Sequence, residues 1–455
     1  MENTIHTYDL AVEGGKVYTF GPDKSIIEDG LLLVSNGKIA FIGPLSKAPD
    51  YKAQKHISAK GRIILPPFFN QHTHLSPSLY RGLGTDLHLH DWLNKVVWPL
   101  EKKYCNPENV YLGSLLSLVE MIKSGTGAIA NMDFHNKAAG RAVQEAGVRA
   151  LLGEGLFDES TPSAINAEET FDYTEHLLHE FADNELIDIY LAPHAPFSCK
   201  PELYEKTGEM ARKWNIPVGT HLCETSKEVS DIRKQYGLSP VELLNRTGVL
   251  DNHFIAYHGI HIDDNDIDIL SEKEVSVIHN PHSNMALGSG ICPVQKLLAR
   301  GIKVGIGTDS AASNNSLSML RELQTTYLIH KGVLRDPTFL SAGMVLEMAA
   351  KTGHEVYRMA DPGGLVEGNK ADFMILDLNS SHNLPIIDPL ESIVCSAHSN
   401  DVQTLVVDGR IIMEDRRLMT LDEDLLLKEA RKFGDVLRKD FPGLFHSQGK
   451  GAGYE

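Results

Sequence analysis

The stretch Ile63-Ile64-Leu65-Pro66-Pro67-Phe68-Phe69-Asn70-Gln71-His72-Thr73-His74 is an apolar run ending in two histidines two residues apart. Side chains at i and i+2 of a strand share a face, so both imidazoles reach one ion. Seven more apolar runs follow, mostly separated by helical stretches, at residues 127–133, 148–156, 187–194, 216–224, 254–262, 275–284 and 303–310. Strands alternating with helices imply a parallel sheet. Eight such units suit a closed (β/α)8 barrel better than an open doubly wound sheet, which has fewer strands. His72, His74, His194, His221, Glu224, His258 and Asp309 all fall at the C-terminal ends of these runs. A barrel builds its active site at that face, from several strands at once.

The regions around this core read as β-structure. In the first sixty residues, Glu13-Gly14-Gly15-Lys16 reads as a turn between apolar stretches, and Asn36-Gly37 reads as a hairpin turn. After Gly368, apolar runs at 371–378 and 402–407 and the pair Asp408-Gly409 repeat the pattern. The expected fold is therefore α/β: a (β/α)8 barrel of the TIM type, with a small β-sandwich domain built from both chain ends. The expected division is residues 1–62 and 368–420 for the two sandwich parts and 63–367 for the catalytic barrel. Residues 421–455 form a C-terminal helix, at 425–437, and a loose tail at 449–455.

Composition excludes several classes of function. Of the 455 residues, 43 are basic and 61 acidic, giving a net charge of −18. Nucleic acid or an anionic membrane needs a basic face, so neither is expected as a partner. No secretory signal is expected at Met1–Leu10, which has no basic segment followed by an apolar run, and no apolar stretch reaches spanning length. Five scattered cysteines, Cys105, Cys199, Cys223, Cys292 and Cys395, suit free thiols in a reducing cytoplasm. The expected partner is a small heterocyclic molecule, and exposed barrel helices leave room for a homo-oligomer.

An H-x-H pair alone is a weak metal signal. With His221 ending the fifth strand and Asp309 the eighth, the set becomes three nitrogens and one oxygen from strands one, five and eight. That donor set suits zinc, and is compatible with iron or manganese. A two-metal site needs a bridging ligand, typically a modified lysine ending strand four in barrels of this sort. Here strand four ends in His194 with no lysine, so one divalent ion per chain is expected. Glu224, three residues beyond His221, is placed to shuttle protons. Asp309 can take a proton from water while ligating the ion, and His258 can stabilise a tetrahedral centre.

His72-Thr73-His74, His221-Leu222-Cys223-Glu224, Tyr257-His258-Gly259, His279-Asn280-Pro281-His282-Ser283-Asn284 and Gly307-Thr308-Asp309-Ser310 together resemble the amidohydrolase superfamily, in its chlorohydrolase and aminohydrolase branch. The resemblance covers nearly the whole chain and implies hydrolytic deamination of an amino-substituted N-heterocycle, most of all an adenosine-type nucleoside, with release of ammonia. It also implies that Glu101, in Trp98-Pro99-Leu100-Glu101, accepts hydrogen bonds from sugar hydroxyls, and that His194 and Glu224 contact substrate. One departure stands out. Where relatives that act on S-adenosylhomocysteine tend to carry an arginine ending strand three, this chain reads Gly153-Glu154-Gly155, which argues against a substrate with a carboxylate tail. Hydrolysis of chlorinated or aminated triazines, and deamination of guanine, pterins or cytosine, are the alternatives within the same chemistry. A barrel that has lost catalysis and serves as a scaffold is the alternative outside it.

Overall fold

The computed structural model describes residues 6–84 and 86–441; the tail expected at 449–455 lies outside them. The eight runs form parallel strands in two arcs. One arc holds Phe68–His74, Thr126–Asp133, Arg149–Leu156 and the pieces Ile187–Ile189 and Ala192–Pro193. The other holds Val218–Leu222, Phe254–His258, Ser276–His279 and Val304–Ile306. A bridge from Leu191 to Val218 links the arcs on one side. On the other, Asp309–Ser310 pairs in parallel with Thr73 and His74. Strand eight thus lies against strand one, which brings Asp309 beside the His72–His74 pair.

Local chemistry explains where the strands depart from the sequence expectation. Residues 63–74 are two strands, not one. Pro66 and Pro67 have no N–H to donate, so the ladder breaks there. Ile63–Leu65 joins the small sheet, and only Phe68–His74 joins the parallel core. Strand eight breaks at Gly307, where a Cβ would stand 2.7 Å from the His72 nitrogen and 2.8 Å from its oxygen. Only glycine lets the two backbones approach so closely.

The two chain ends meet in one nine-stranded sheet. Its path runs Arg417–Leu418, Arg410–Glu414, Val402–Val407, Phe373–Leu376, Ile63–Leu65, His6–Tyr18, Ile26–Ser35 and Lys38–Pro44, with Tyr51–Ser58 beside His6–Tyr18. The outer strand Lys38–Pro44 also bonds to the stretch before Phe373: Ile39 N donates to Asn369 O at 2.9 Å, and Gly368 N to Ile39 O at 2.8 Å. Asn36-Gly37 and Asp408-Gly409 are hairpin turns with positive φ at both residues. Glu13-Gly14-Gly15-Lys16 is not a turn. It lies inside the strand His6–Tyr18, where register shifts between Glu13, Gly15 and Val17 mark bulges.

Two further contacts position the site. At the N-terminal end of strand three, Arg149, 3 % exposed, bonds both carboxylate oxygens of Asp372, the carboxylate of Asp408 and the carbonyl of Glu185. This clamp ties the parallel core to the small sheet. At the opposite end, the segment between strand one and helix Pro107–Lys123 contains Leu89–Trp92, a π-helical turn at Leu93–Val97, and helix Trp98–Tyr104. It forms its own apolar cluster with Phe433 and Leu437 of helix Glu423–Asp440. Burying each of those two side chains contributes about 1.5–3 kcal/mol. Tyr104 Oη and Lys103 Nζ both donate to Asp440, at 2.7 and 2.6 Å.

Candidate active site

The C-terminal strand ends surround a cleft that is open to solvent. His74, His194, His221, Glu224 and Asp309 line it, with Glu101 on the wall formed by the segment after strand one. Leu89, Trp92, Trp98, Phe134, Phe157 and Phe197 give the wall an apolar, aromatic character. His72 and His258 are fully buried and do not line the cleft.

His72, His74, His221 and Asp309 each offer one ligand atom, and these atoms all lie within 4.8 Å of one another. Asp309 Oδ1 stands 3.4 Å from His72 Nε2 and 3.2 Å from His74 Nε2. Ligand atoms about 2.0–2.1 Å from a tetrahedral ion are about 3.3–3.4 Å apart, so these separations match. His221 Nδ1–H donates to the His194 carbonyl at 2.7 Å, which fixes the tautomer and leaves Nε2 free to ligate. Both ring nitrogens of His72 are buried without a hydrogen-bond partner, and a cation would remove that cost at the one it ligates. The residues therefore fit a divalent ion. Charge balance agrees. Burial and neighbouring histidines hold His221 well below its ordinary pKa, and burial lowers His72 to about 3. Burial alone would raise Asp309, but the His72 and His74 rings, 3.4 and 3.2 Å from its Oδ1, outweigh that and hold its carboxyl well below the ordinary value.

Packing and hydrogen bonds fix these groups. The His72 ring stacks on Tyr257, 3.8 Å between centroids. Gly219 leaves room for that tyrosine, since a Cβ there would stand 2.1 Å from the Tyr257 oxygen. Ser283 and Ser313 hydroxyls donate to Asp309 Oδ2, at 2.5 and 3.0 Å, so Oδ1 is the oxygen turned to the histidines. His258 Nδ1–H donates to Asn284 Oδ1 at 2.7 Å, and its Nε2 stands 3.7 Å from Glu224 Oε2. Cys223, His258 and Asp309 have φ of 52°, 71° and 58°. Three non-glycine residues in the left-handed region at three strand ends mark strain of order 1–3 kcal/mol each.

Glu224 is 4 % exposed, and burial raises its carboxyl pKa. It is not a surface residue opening the next helix; that helix, Ser226–Tyr236, is capped by Thr225. Burial, assisted by the charge of Asp133, pushes Glu101 up to about 8. His194 stacks on Phe157 at 4.5 Å, and its Nδ1 shares a hydrogen bond with Ser198 Oγ.

Glu154 falls elsewhere. Its carboxylate is taken up by the backbone N–H groups of His135 and Asn136, the Asn136 amide and the Ser163 hydroxyl. Strand alternation turns its neighbour Gly155, not Glu154, to the cleft. Glu154 is therefore not placed to meet a carboxylate tail in the cleft. Sequence reasoning also missed Asp133, Ser283, Ser313 and Ser289. Asp133 ends strand two and lines the cleft, so the strand-end rule that found the others would have found it.

Comparison with known proteins agrees with this geometry. The amidohydrolase family model matches residues 63–412. A 5-methylthioadenosine/S-adenosylhomocysteine deaminase of Syntrophobacter fumaroxidans is 38% identical over 94% of this chain and 98% of its own. The crystal structure of an adenosine deaminase from Xanthomonas campestris with bound zinc is 31% identical, with a TM-score of 0.93 over 96% of this chain and 100% of its own. A zinc-complexed atrazine chlorohydrolase of Arthrobacter aurescens, 22% identical, shares the fold with a TM-score of 0.85 over 93% and 99%. These likenesses imply a TIM-barrel-type fold. With a family model over most of its length and such relatives, the chain belongs to the amidohydrolase family, hydrolases of C–N bonds.

Proposed function

We propose that this protein hydrolyses the exocyclic amino group of an adenosine-type nucleoside and releases ammonia. The observation that carries the reading is one cleft lined at once by the cation-ready His74–His221–Asp309 face, the buried Glu224 and the unpaired Glu101. The names of the relatives support the nucleoside. A divalent ion, zinc by the donor set, supplies a Lewis acid that makes a water nucleophilic near neutrality. One ion per chain is the reading, supported by the single donor cluster among the described residues and by a strand four without lysine.

The residues divide the remaining work. Glu224, its carboxyl raised by burial, passes a proton to the ring nitrogen beside the reacting carbon and then to the departing amine. His258 and Asp309 bear on the tetrahedral centre; the Asn284 bond fixes the His258 tautomer so that Nε2 faces Glu224. Glu101 accepts ribose hydroxyls, and His194 with the aromatic wall packs against the base. Among the described residues lining the cleft there is no lysine or arginine, while Glu101, Asp133, Glu224 and Asp309 are acidic. An uncharged 5′ substituent, such as methylthio, fits such a wall better than a phosphate or a carboxylate tail.

The two arcs are read as one closed (β/α)8 barrel within residues 63–367, less Ile63–Leu65, which lies in the small sheet. The nine-stranded sheet is read as a small sandwich of the two chain ends, within residues 1–62 and 368–420 and with Ile63–Leu65 added, that curls until Lys38–Pro44 meets the stretch before Phe373. Residues 421–455 are a C-terminal extension.

The test is ammonia release with zinc-loaded protein across adenosine, 5′-methylthioadenosine, S-adenosylhomocysteine, adenosine monophosphate, guanine, cytosine and atrazine. The first two are expected to give the highest kcat/KM. Turnover of atrazine or guanine alone would overturn the nucleoside reading.

A further inference from the structure

Glu228 lies four residues beyond Glu224, is 0 % exposed, and is not among the residues lining the cleft. Its two carboxylate oxygens are shared out with care. Oε1 accepts the N–H of Cys223 and Oε2 the N–H of Glu224, each at 2.9 Å. The Thr225 hydroxyl accepts the N–H of Glu228 at 3.1 Å and so seats the carboxylate at the start of its helix. The peptide under this grip is strained, since Cys223 has a φ of 52°. The Cys223 carbonyl accepts from Ile260 N at 3.1 Å and His261 N at 2.8 Å, and the Leu222 carbonyl from Gly259 N at 3.0 Å. Those three donors directly follow His258. His261 Nε2–H then donates to the Ser289 carbonyl at 2.7 Å, and the Ser289 hydroxyl reaches Glu224 Oε1 at 3.4 Å. The backbone of Glu224 is thus held by Glu228, and its carboxyl is touched by a residue of the same network.

We propose that Glu228 is a positioning residue that sets Glu224 in place for proton transfer, by holding the Cys223–Glu224 backbone in a conformation it would otherwise leave. The inference rests on the reading of Glu224 as the proton carrier. Two N–H groups aimed at two oxygens require a carboxylate. A glutamine offers one oxygen and one NH2, and the NH2 would face a backbone N–H with no acceptor between them. A misplacement of this order, remote from the reacting atoms, lowers the rate rather than binding.

The experiment is a double-mutant cycle on the zinc-loaded protein, with adenosine and 5′-methylthioadenosine as substrates. Glu228→Gln is expected to lower kcat about ten- to a hundredfold, with KM within about threefold and zinc content at the wild-type value. The double variant E224Q/E228Q is expected to match E224Q alone within about twofold, because Glu228 acts only through Glu224. A residue that merely supports the fold would multiply the two losses. If E228Q does not accumulate as folded, zinc-containing protein, Glu228→Asp keeps the charge and shortens the reach. Its kcat is expected to fall, and a wild-type kcat would overturn the proposal. An inert E224Q beside a wild-type E228Q, or a double variant with multiplied losses, overturns the proposal alone. A fully active E224Q overturns the proton-carrier reading and the proposal with it.

Discussion

The two ends of the parallel core treat their buried charged and imidazole side chains in opposite ways. At the N-terminal end, Arg149 is buried and every one of its donor nitrogens is matched, to Asp372, Asp408 and the Glu185 carbonyl. At the C-terminal end, His72 Nδ1 and Nε2, His258 Nε2, His279 Nδ1 and Asn280 Oδ1 are buried with no partner, and three strand ends carry left-handed residues. Unpaired buried groups cost folding energy, of order 1–3 kcal/mol each. A protein retains them where a ligand will complete them. The contrast separates a region that holds the molecule together from one held open for chemistry, and substitutions at the two ends should fail in different ways.

The largest effect is expected from Asp309→Ala. It should reduce turnover on the order of a thousandfold or more and lower the zinc content measured by elemental analysis. Chelation should do the same reversibly, with activity restored by zinc and no loss of secondary structure by circular dichroism. Glu224→Gln comes next, with kcat lowered about 10²- to 10⁴-fold while zinc content stays at wild type. A wild-type rate there would break the division of roles at the open end.

At the clamped end, Arg149→Ala should cost about 1–3 kcal/mol of stability, because it removes a buried guanidinium and leaves two half-buried carboxylates without it. Turnover at 25 °C should stay within a few-fold of wild type. A large loss of kcat in a folded Arg149→Ala protein would show that the two ends are coupled. The clamp also has a pH signature. Burial pushes the Asp408 carboxyl up, but the bond from Lys370 and the charge of Arg149 outweigh it and leave the pKa below its ordinary value. Its contribution is complete above about pH 4 and is lost as the pH falls further. Denaturant melts between pH 5 and 3 should therefore fall more steeply for wild type than for Arg149→Ala. The smallest effect belongs to a paired group away from both ends. Ser239 caps helix Pro240–Thr247 in a reciprocal box with Glu242, and Ser239→Ala should cost about 1 kcal/mol with kcat untouched.

The open end was largely legible in the sequence, for a physical reason. Its donors sit on short strands whose apolar runs announce their ends, so His72, His74, His221 and Asp309 could be placed by strand order alone. What lay between elements was not legible. Glu154 was read as facing a ligand because its distance from the strand end was known and its facing was not. The hold of Ser283 and Ser313 on Asp309 depends on how two helices dock, which no spacing encodes. The break at Pro66-Pro67 was written plainly, and the length of the apolar run obscured it. The clamp joins Arg149 to residues more than two hundred positions later, and no local pattern marks it.

The brace between Tyr104 and Asp440 has a consequence for the order in which the protein is made. All four candidate metal ligands have been synthesised once Asp309 has been added. The segment carrying Glu101 lacks its support, Phe433 and Asp440, until 131 further residues have been joined. At about 5–20 residues per second, a chain still on the ribosome has roughly 7–26 seconds in which its candidate ion ligands are encoded and the wall carrying Glu101 is unsupported. In that interval every candidate ion ligand is present in the chain while the wall that carries Glu101 is still without its brace.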